Sequence, residues 1–70
     1  MNTWKVGDAF RDSQNCTYVI LSIDDRECEY LSINNSDGTC PSLVVRLLAT
    51  LDHYISEGHI TRLGNVRAGW

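Results

Sequence analysis

Residues 16–48 read CTYVILSIDDRECEYLSINNSDGTCPSLVVRLL, which is three apolar runs separated by two turn signals. The first run, Thr17–Asp24, contains β-branched, aromatic and aliphatic residues without a breaker, as is typical of a strand. Residues 28–34 predict a second strand, and Asp37-Gly38 predicts a tight hairpin turn before a third. The three runs therefore predict an antiparallel meander on which the rest of the chain closes.

Two-residue turns at 25–26 and 37–38 would fix which residues face each other across the strands. The pairing predicted in this way sets Ile23 opposite Cys28, Leu21 opposite Tyr30, and Tyr30 opposite Val45. The residues predicted on the core side of the sheet are Val19, Leu21, Ile23, Cys28, Tyr30, Leu43, Val45 and Leu47. On the other side, the same pairing predicts a cross-strand ion pair between Arg46 and Glu29.

Residues 42–57 permit two interpretations. Four apolar residues recur at every fourth position, which is typical of a single long helix. The adjacent Val44 and Val45, which follow a hairpin signal, instead favour a strand. We predict the strand, followed by a break near Ala49 and a short helix over 51–57.

Short elements at both ends complete the predicted fold. Residues 9–12 predict a first strand, and residues 59–63 predict a last one after the helix. The resulting order, β-β-β-β-α-β, resembles that of a small SH3-like antiparallel barrel, mostly β with one short helix. We predict one such domain over residues 1–63 and a C-terminal tail over 64–70.

Length, charge and cysteine content restrict the class of protein. The chain has 70 residues and a net charge of −3, with nine acidic residues against six basic ones. One lysine and five scattered arginines count against direct binding to nucleic acid. The first residues lack the long apolar run of a signal peptide, and no apolar stretch is long enough for a membrane span. We therefore predict a cytoplasmic protein with no membrane contact. An odd number of cysteines, three, then predicts reduced thiols.

The residue types that catalysis needs are present without a suitable arrangement. Three cysteines and two histidines occur, but no Cys-x-x-Cys pair or similar metal-ligand spacing. Neighbouring carboxylates lie on a predicted hairpin tip, where no cleft would shift one pKa away from the other. The five glycines are dispersed and form no phosphate-binding loop. We therefore predict a non-enzymatic protein with no catalytic residue, metal ion or cofactor.

Acidic residues are concentrated around the two predicted turns. Between positions 24 and 37 the chain carries one base, Arg26, and five acids: Asp24, Asp25, Glu27, Glu29 and Asp37. Such a run is commonly a solvated tip that keeps a sheet edge soluble. It is also suited to docking on a basic groove, because complementary charge speeds encounter and selects the partner. We predict that these five residues contact a partner.

The short start Lys-x-Gly-Asp-x-Phe at residues 5–10, the YVILSI strand, the Asp-Gly hairpin and a short C-terminal helix resemble small acidic accessory proteins of phages and mobile elements. Among these, anti-CRISPR proteins inhibit larger proteins by occupying nucleic-acid-binding grooves. The resemblance implies an inhibitor whose partner is a larger protein with a basic groove. For a phage-encoded protein it implies action in the host cytoplasm.

Two other functions are compatible with the same residues. Exposed aromatic side chains would suit an SH3-like module that binds peptide or nucleic acid, and the candidates are Trp4, Tyr18, Tyr30, Tyr54 and Trp70. The second of these functions is that of a self-assembling structural protein. It is suggested because the side of the sheet predicted to face away from the core is also apolar and could join copies of the chain. Its residues are Tyr18, Ile20, Leu31, Ile33 and Val44. Unless the chain termini cover it, that side predicts a homodimer interface.

Overall fold

Five antiparallel strands form one sheet, with a single short helix before the last strand. The computed structural model describes residues 3–33 and 42–68. The elements are β1 Asp8–Asp12, β2 Thr17–Asp24, β3 Glu27–Ser32, β4 Val44–Leu47, α1 Leu48–Ser56 and β5 Ile60–Asn65, followed by a 3-10 turn at Val66–Ala68. The strand order is β4-β3-β2-β1-β5. The prediction of a mostly β fold with one short helix is confirmed, whereas the Asp37-Gly38 turn lies outside the described residues.

The ambiguous segment is a strand followed by a helix, as predicted. Leu47 is still extended (φ −70°, ψ 141°), and α1 begins at Leu48, three residues earlier than expected. The Leu48 backbone N–H, which has no acceptor within the helix, donates to the Arg26 carbonyl (2.7 Å) and ties the helix to the β2–β3 turn. After the helix, Gly58 takes a left-handed conformation (φ 78°) that a side chain would disfavour.

A bulge in β2 changes the predicted pairing with β3. Ile23 lies opposite Cys28 as predicted, but the register shifts between Ile20 and Ser22. Ile20 therefore faces Tyr30 in place of Leu21, which is 43% exposed. A bulge adds one residue to one strand, so side chains beyond it exchange faces.

The predicted pairing of β3 with β4 is wrong by one residue. Tyr30 lies opposite Val44, and Glu29 lies opposite Val45. A one-residue offset reverses the faces of a whole strand, so the side chains predicted in the core point outward. Their exposed fractions are Val45 57%, Leu47 51% and, just before the strand, Leu43 55%.

Arg46 does not pair with Glu29, because the actual register places it opposite Cys28. Its Nε–H donates to the Tyr30 hydroxyl (2.9 Å), and its Nη1 donates to the Tyr54 hydroxyl on α1 (3.3 Å). Arg46 thus joins the edge of the sheet to the helix. The bond to Tyr30 also raises the pKa of the Arg46 guanidinium.

Aromatic rings dominate the core. Phe10 is 1% exposed, and its ring centroid lies 5.8 Å from that of Trp4, 5.2 Å from Tyr18 and 5.0 Å from Tyr30. Such edge-to-face and tilted pairs stabilise a core beyond the area that they bury. The remaining buried apolar side chains are Ala9, Cys16, Ile20, Cys28, Leu51 and Ile60. Tyr18 and Ile20, predicted on the other side of the sheet, therefore belong to the core.

The cysteines differ from the predicted set of reduced thiols. Cys16 is disulfide-bonded, so that prediction is wrong for this residue. Cys28 is free and buried, and burial raises the pKa of its thiol. Cys40 lies outside the described residues.

The last strand is longer than predicted. Strand β5 continues to Asn65, two residues past its predicted end, and pairs with β1. The Val66 backbone N–H then donates to the Gly7 carbonyl (2.9 Å). Within the described parts of the chain, no helix is long and apolar enough to span a membrane.

Candidate docking surface

Four of the five predicted partner-binding acids lie together at the β2–β3 hairpin, and we call Asp24, Asp25, Glu27 and Glu29 the acidic tip. Asp25 is in the turn with φ 54°, a left-handed conformation that aspartate and asparagine tolerate better than most residues. Asp24, Asp25 and Glu27 are exposed, and Glu29 is half-buried. Asp37, the fifth, lies outside the described residues.

The acidic tip places like charges against each other. Asp24 lies directly opposite Glu27, and Glu29 lies opposite Ser22 on the same face of the hairpin. Within residues 3–33 and 42–68, Arg62 pairs with Asp8 and His53 Nε2 lies 3.9 Å from Glu57 Oε1, so no basic side chain pairs with any of the four acids there. Like charges directly opposite each other in a sheet are destabilising. The fold therefore maintains an unfavourable concentration of negative charge at this hairpin.

An apolar strip lies beside the acidic tip, formed by the exposed Leu43, Val45 and Leu47. Glu29 faces Val45 and Glu27 faces Leu47 across the β3–β4 pairing. Strand β4 is also the edge of the sheet. The register predicted from the sequence placed these three residues in the core, so the exposed strip was not predicted.

A cavity of about 550 Å³ opens between the acidic tip and the start of α1, and we call it the tip pocket. Its lining residues are Trp4, Asp25, Arg26, Leu47, Leu48, Ala49 and Asp52. The Trp4 indole N–H donates to Asp52 Oδ1 (2.9 Å), although 48 positions separate the two residues. No local sequence signal indicates a contact over that separation.

A second, basic cleft of about 840 Å³ lies along β1 and β5. The buried carboxylate of Asp8 accepts hydrogen bonds there from Arg62 Nη2 (3.1 Å) and Asn65 Nδ2 (2.8 Å). Arg62 also lies over the Trp4 ring, 4.3 Å from its centroid. Lys5 and Arg67 complete the basic lining. The side chains of Asp8, Arg62 and Asn65 are therefore engaged in hydrogen bonds within the fold.

The residues considered for other chemistry lie in structural positions. Trp4, Tyr18 and Tyr30 are buried, so these rings form no stacking surface. The pKa of the Tyr18 hydroxyl is raised, mainly by burial and to a smaller extent by the hydrogen bond to Asp12. In the part of the chain that the structure describes, no three histidine, cysteine, aspartate or glutamate side chains converge as metal ligands.

Comparison with protein-family models and with curated proteins yields no match to this chain. The likeness to anti-CRISPR inhibitors stays a resemblance of short motifs and size. Function is therefore inferred from the charge and shape of the surface, in which the acidic tip, the apolar strip and the tip pocket are continuous. Asp25 and Leu47 belong to the pocket as well as to the tip or the strip.

Proposed function

We propose that the protein is a non-enzymatic inhibitor that docks its acidic tip on the basic, nucleic-acid-binding groove of a larger protein, as anti-CRISPR proteins do. The observation that carries the proposal is the unneutralised pair of Asp24 and Glu27, directly opposite each other on β2 and β3. If the tip served solubility alone, a basic residue at either position would make the fold more stable by removing the repulsion. Local rules of this kind are typically broken at functional sites.

A rigid support for the tip is part of the proposal. We propose that the sheet curls into an SH3-like barrel, with α1 across its open side. The strand order, the bulge in β2 and the β1–β5 pairing support this curvature. The bond from Leu48 to Arg26 would hold the hairpin against the helix. A rigid tip loses little conformational entropy on binding, which favours affinity.

The proposed partner can be sought by capture from a host lysate on immobilised protein. We expect one larger basic protein to be retained at about 0.05 M salt and released at about 0.5 M, because screening weakens exposed charge pairs. The purified partner should lose binding to nucleic acid when this protein is added. A captured protein that still binds nucleic acid normally would contradict inhibition.

Charge-reversal variants test whether the acidic tip makes the contact. Asp24→Lys combined with Glu27→Lys should weaken partner binding at least tenfold and reduce its salt dependence. For Asp25, Asp25→Asn is preferable because asparagine also tolerates φ 54°. Glu57→Lys, on an exposed residue at the far end of α1, makes the same change of charge as Glu27→Lys alone, and comparison of these two single variants controls for nonspecific charge effects. Equal losses in tip and control variants would refute the assignment.

The cytoplasmic site of action also stays a proposal, and the cysteines provide its test. Disulfides persist mainly in oxidising compartments, so the bond at Cys16 counts against the cytoplasm. Thiol blocking at the moment of cell lysis, followed by intact-mass measurement, should find all cysteines alkylated if the protein works in a reducing cytoplasm. Protection of Cys16 would place it elsewhere.

A further inference from the structure

We propose that the tip pocket binds an arginine side chain of the partner, an inference that rests on the proposed function and specifies the partner's chemistry. The pocket lining combines four apolar residues, which we call the floor, with the carboxylates of Asp25 and Asp52, which we call the rim. An arginine matches both, because its methylene stem packs on apolar surface while its planar head pairs with carboxylates.

The floor of the pocket is formed where β4 passes directly into α1. Leu47, Leu48 and Ala49 are consecutive, and Trp4 packs from the N-terminal segment. Leu47 is half exposed and Ala49 is exposed, so this apolar surface is open to a ligand. The hydrogen bond between the Leu48 N–H and the Arg26 carbonyl fixes the hairpin beside it.

The rim supplies acceptors that the described residues do not use. Asp52 accepts the Trp4 indole N–H through Oδ1, which leaves Oδ2 without a hydrogen bond among residues 3–33 and 42–68. Asp25 makes neither a hydrogen bond nor an ion pair within the same residues. An apolar ligand would remove water from both carboxylates without replacing their hydrogen bonds, at a cost in affinity. A cationic ligand with several donors avoids that cost.

Arginine fits this rim better than lysine. The guanidinium is weakly hydrated and presents five N–H donors in a plane, whereas the ammonium of lysine is a compact, strongly hydrated charge. Arg26 of the chain itself also lines the pocket and adds positive charge to it. Replacing Arg26 by glutamine should therefore tighten binding of an arginine ligand.

Titration of the 15N-labelled protein with N-acetyl-L-arginine amide tests the inference directly. We expect saturable shifts of the Trp4 indole N–H and of the Leu48 and Ala49 amides. The neutral isostere N-acetyl-L-citrulline amide should bind about threefold more weakly, a loss within the range for one exposed charge pair. Equal shifts with both compounds, or shifts spread over the whole protein, would overturn the inference.

Two variants and one control keep the test independent of folding. Asp25→Asn should weaken the arginine derivative about threefold, and Ala49→Lys should weaken it at least as much by placing a like charge in the pocket. Glu57→Gln makes the same change of net charge as Asp25→Asn at an exposed position and should have no effect. The dispersion of each variant's spectrum shows whether it is folded. Unchanged affinity in folded Ala49→Lys would refute the pocket.

The two proposals fail separately. If the arginine derivative does not bind, but partner capture is still lost in the Asp24→Lys and Glu27→Lys variant, the pocket inference is wrong and the proposed function stands. If Ala49→Lys and Asp25→Asn weaken both the arginine derivative and the partner, and Glu57→Gln weakens neither, the inference is supported. If the derivative binds and no basic partner is inhibited, the proposed function is wrong.

Discussion

Glu27 is the residue at which stability and function should oppose each other. It lies directly opposite Asp24, and no described base neutralises either side chain. Glu27→Lys replaces this repulsion by attraction and should stabilise the fold by about 0.5 kcal/mol. Urea unfolding measures the gain. The same variant should bind the partner more weakly.

A matched change separates the pair from a general charge effect. Glu29→Lys makes the same change of charge as Glu27→Lys, at the next position on the same face of β3. Its cross-strand neighbour is the uncharged Ser22. It should stabilise the fold less than Glu27→Lys does. Equal gains would mean that net charge, rather than the opposed pair, controls the stability of the hairpin.

Tyr18 should make the fold sensitive to alkali. Burial, and then the hydrogen bond from its hydroxyl to Asp12 Oδ2 (2.9 Å), raises its pKa above the ordinary value of 10.0. The folded state therefore keeps the proton to a higher pH than the unfolded state does. This contribution to stability is complete below about pH 10 and is lost as the pH rises toward the folded pKa.

Unfolding free energies measured between about pH 8 and 11 test this expectation. Wild type should lose stability above pH 10, and Tyr18→Phe should lose less over the same interval. Tyr30, whose pKa is also raised by burial, accounts for part of the remaining slope. Identical slopes in wild type and Tyr18→Phe would contradict the assigned role of Tyr18.

At the residue scale, the sequence predicted the acidic tip and missed the tip pocket, for a physical reason. Charge at a hairpin turn depends on a few neighbouring positions, so local patterns reveal it. The Trp4–Asp52 hydrogen bond joins residues 48 positions apart and exists only after the sheet and helix have packed. Side chains that meet through tertiary packing leave no local signal.

At the scale of the strands, element types were predicted, but the faces of β4 and of β2 before its bulge were not. Strand β4 is apolar on both faces, with Val44 inward and Val45 and Leu47 outward, so alternation did not distinguish the two registers. In β2, the bulge between Ile20 and Ser22 breaks the period of two within an unbroken apolar run. Where both faces are apolar, packing rather than pattern decides the register.

A pair of alanine variants tests the register of β4. Val44 is half-buried and packs against the core, so Val44→Ala should cost about 1 kcal/mol of unfolding free energy. Val45 is 57% exposed, so Val45→Ala should change stability by less than about 0.5 kcal/mol. Denaturant unfolding compares them. A larger loss of stability for Val45→Ala than for Val44→Ala would contradict the observed register and support the one predicted from the turns.

At the scale of the whole molecule, charge is unevenly distributed around Trp4. Asp52 and the acidic tip lie on the side of the tip pocket, while Arg62 stacks on the Trp4 ring and lines the basic cleft with Lys5 and Arg67. The net charge of −3 is therefore less informative than its location. A basic partner would be attracted toward the acidic tip, so this protein would bind it with the basic cleft facing away from the partner.

Association kinetics with the captured partner should show this steering. The association rate constant of wild type should fall as ionic strength rises from about 0.05 M to 0.5 M, since screening removes attraction before contact. Asp24→Lys combined with Glu27→Lys should flatten that dependence. Arg67→Gln, which makes the protein more negative without altering the tip, should leave the rate constant unchanged or slightly higher. A loss of rate in Arg67→Gln as large as that in the tip variant would mean that the basic cleft contacts the partner.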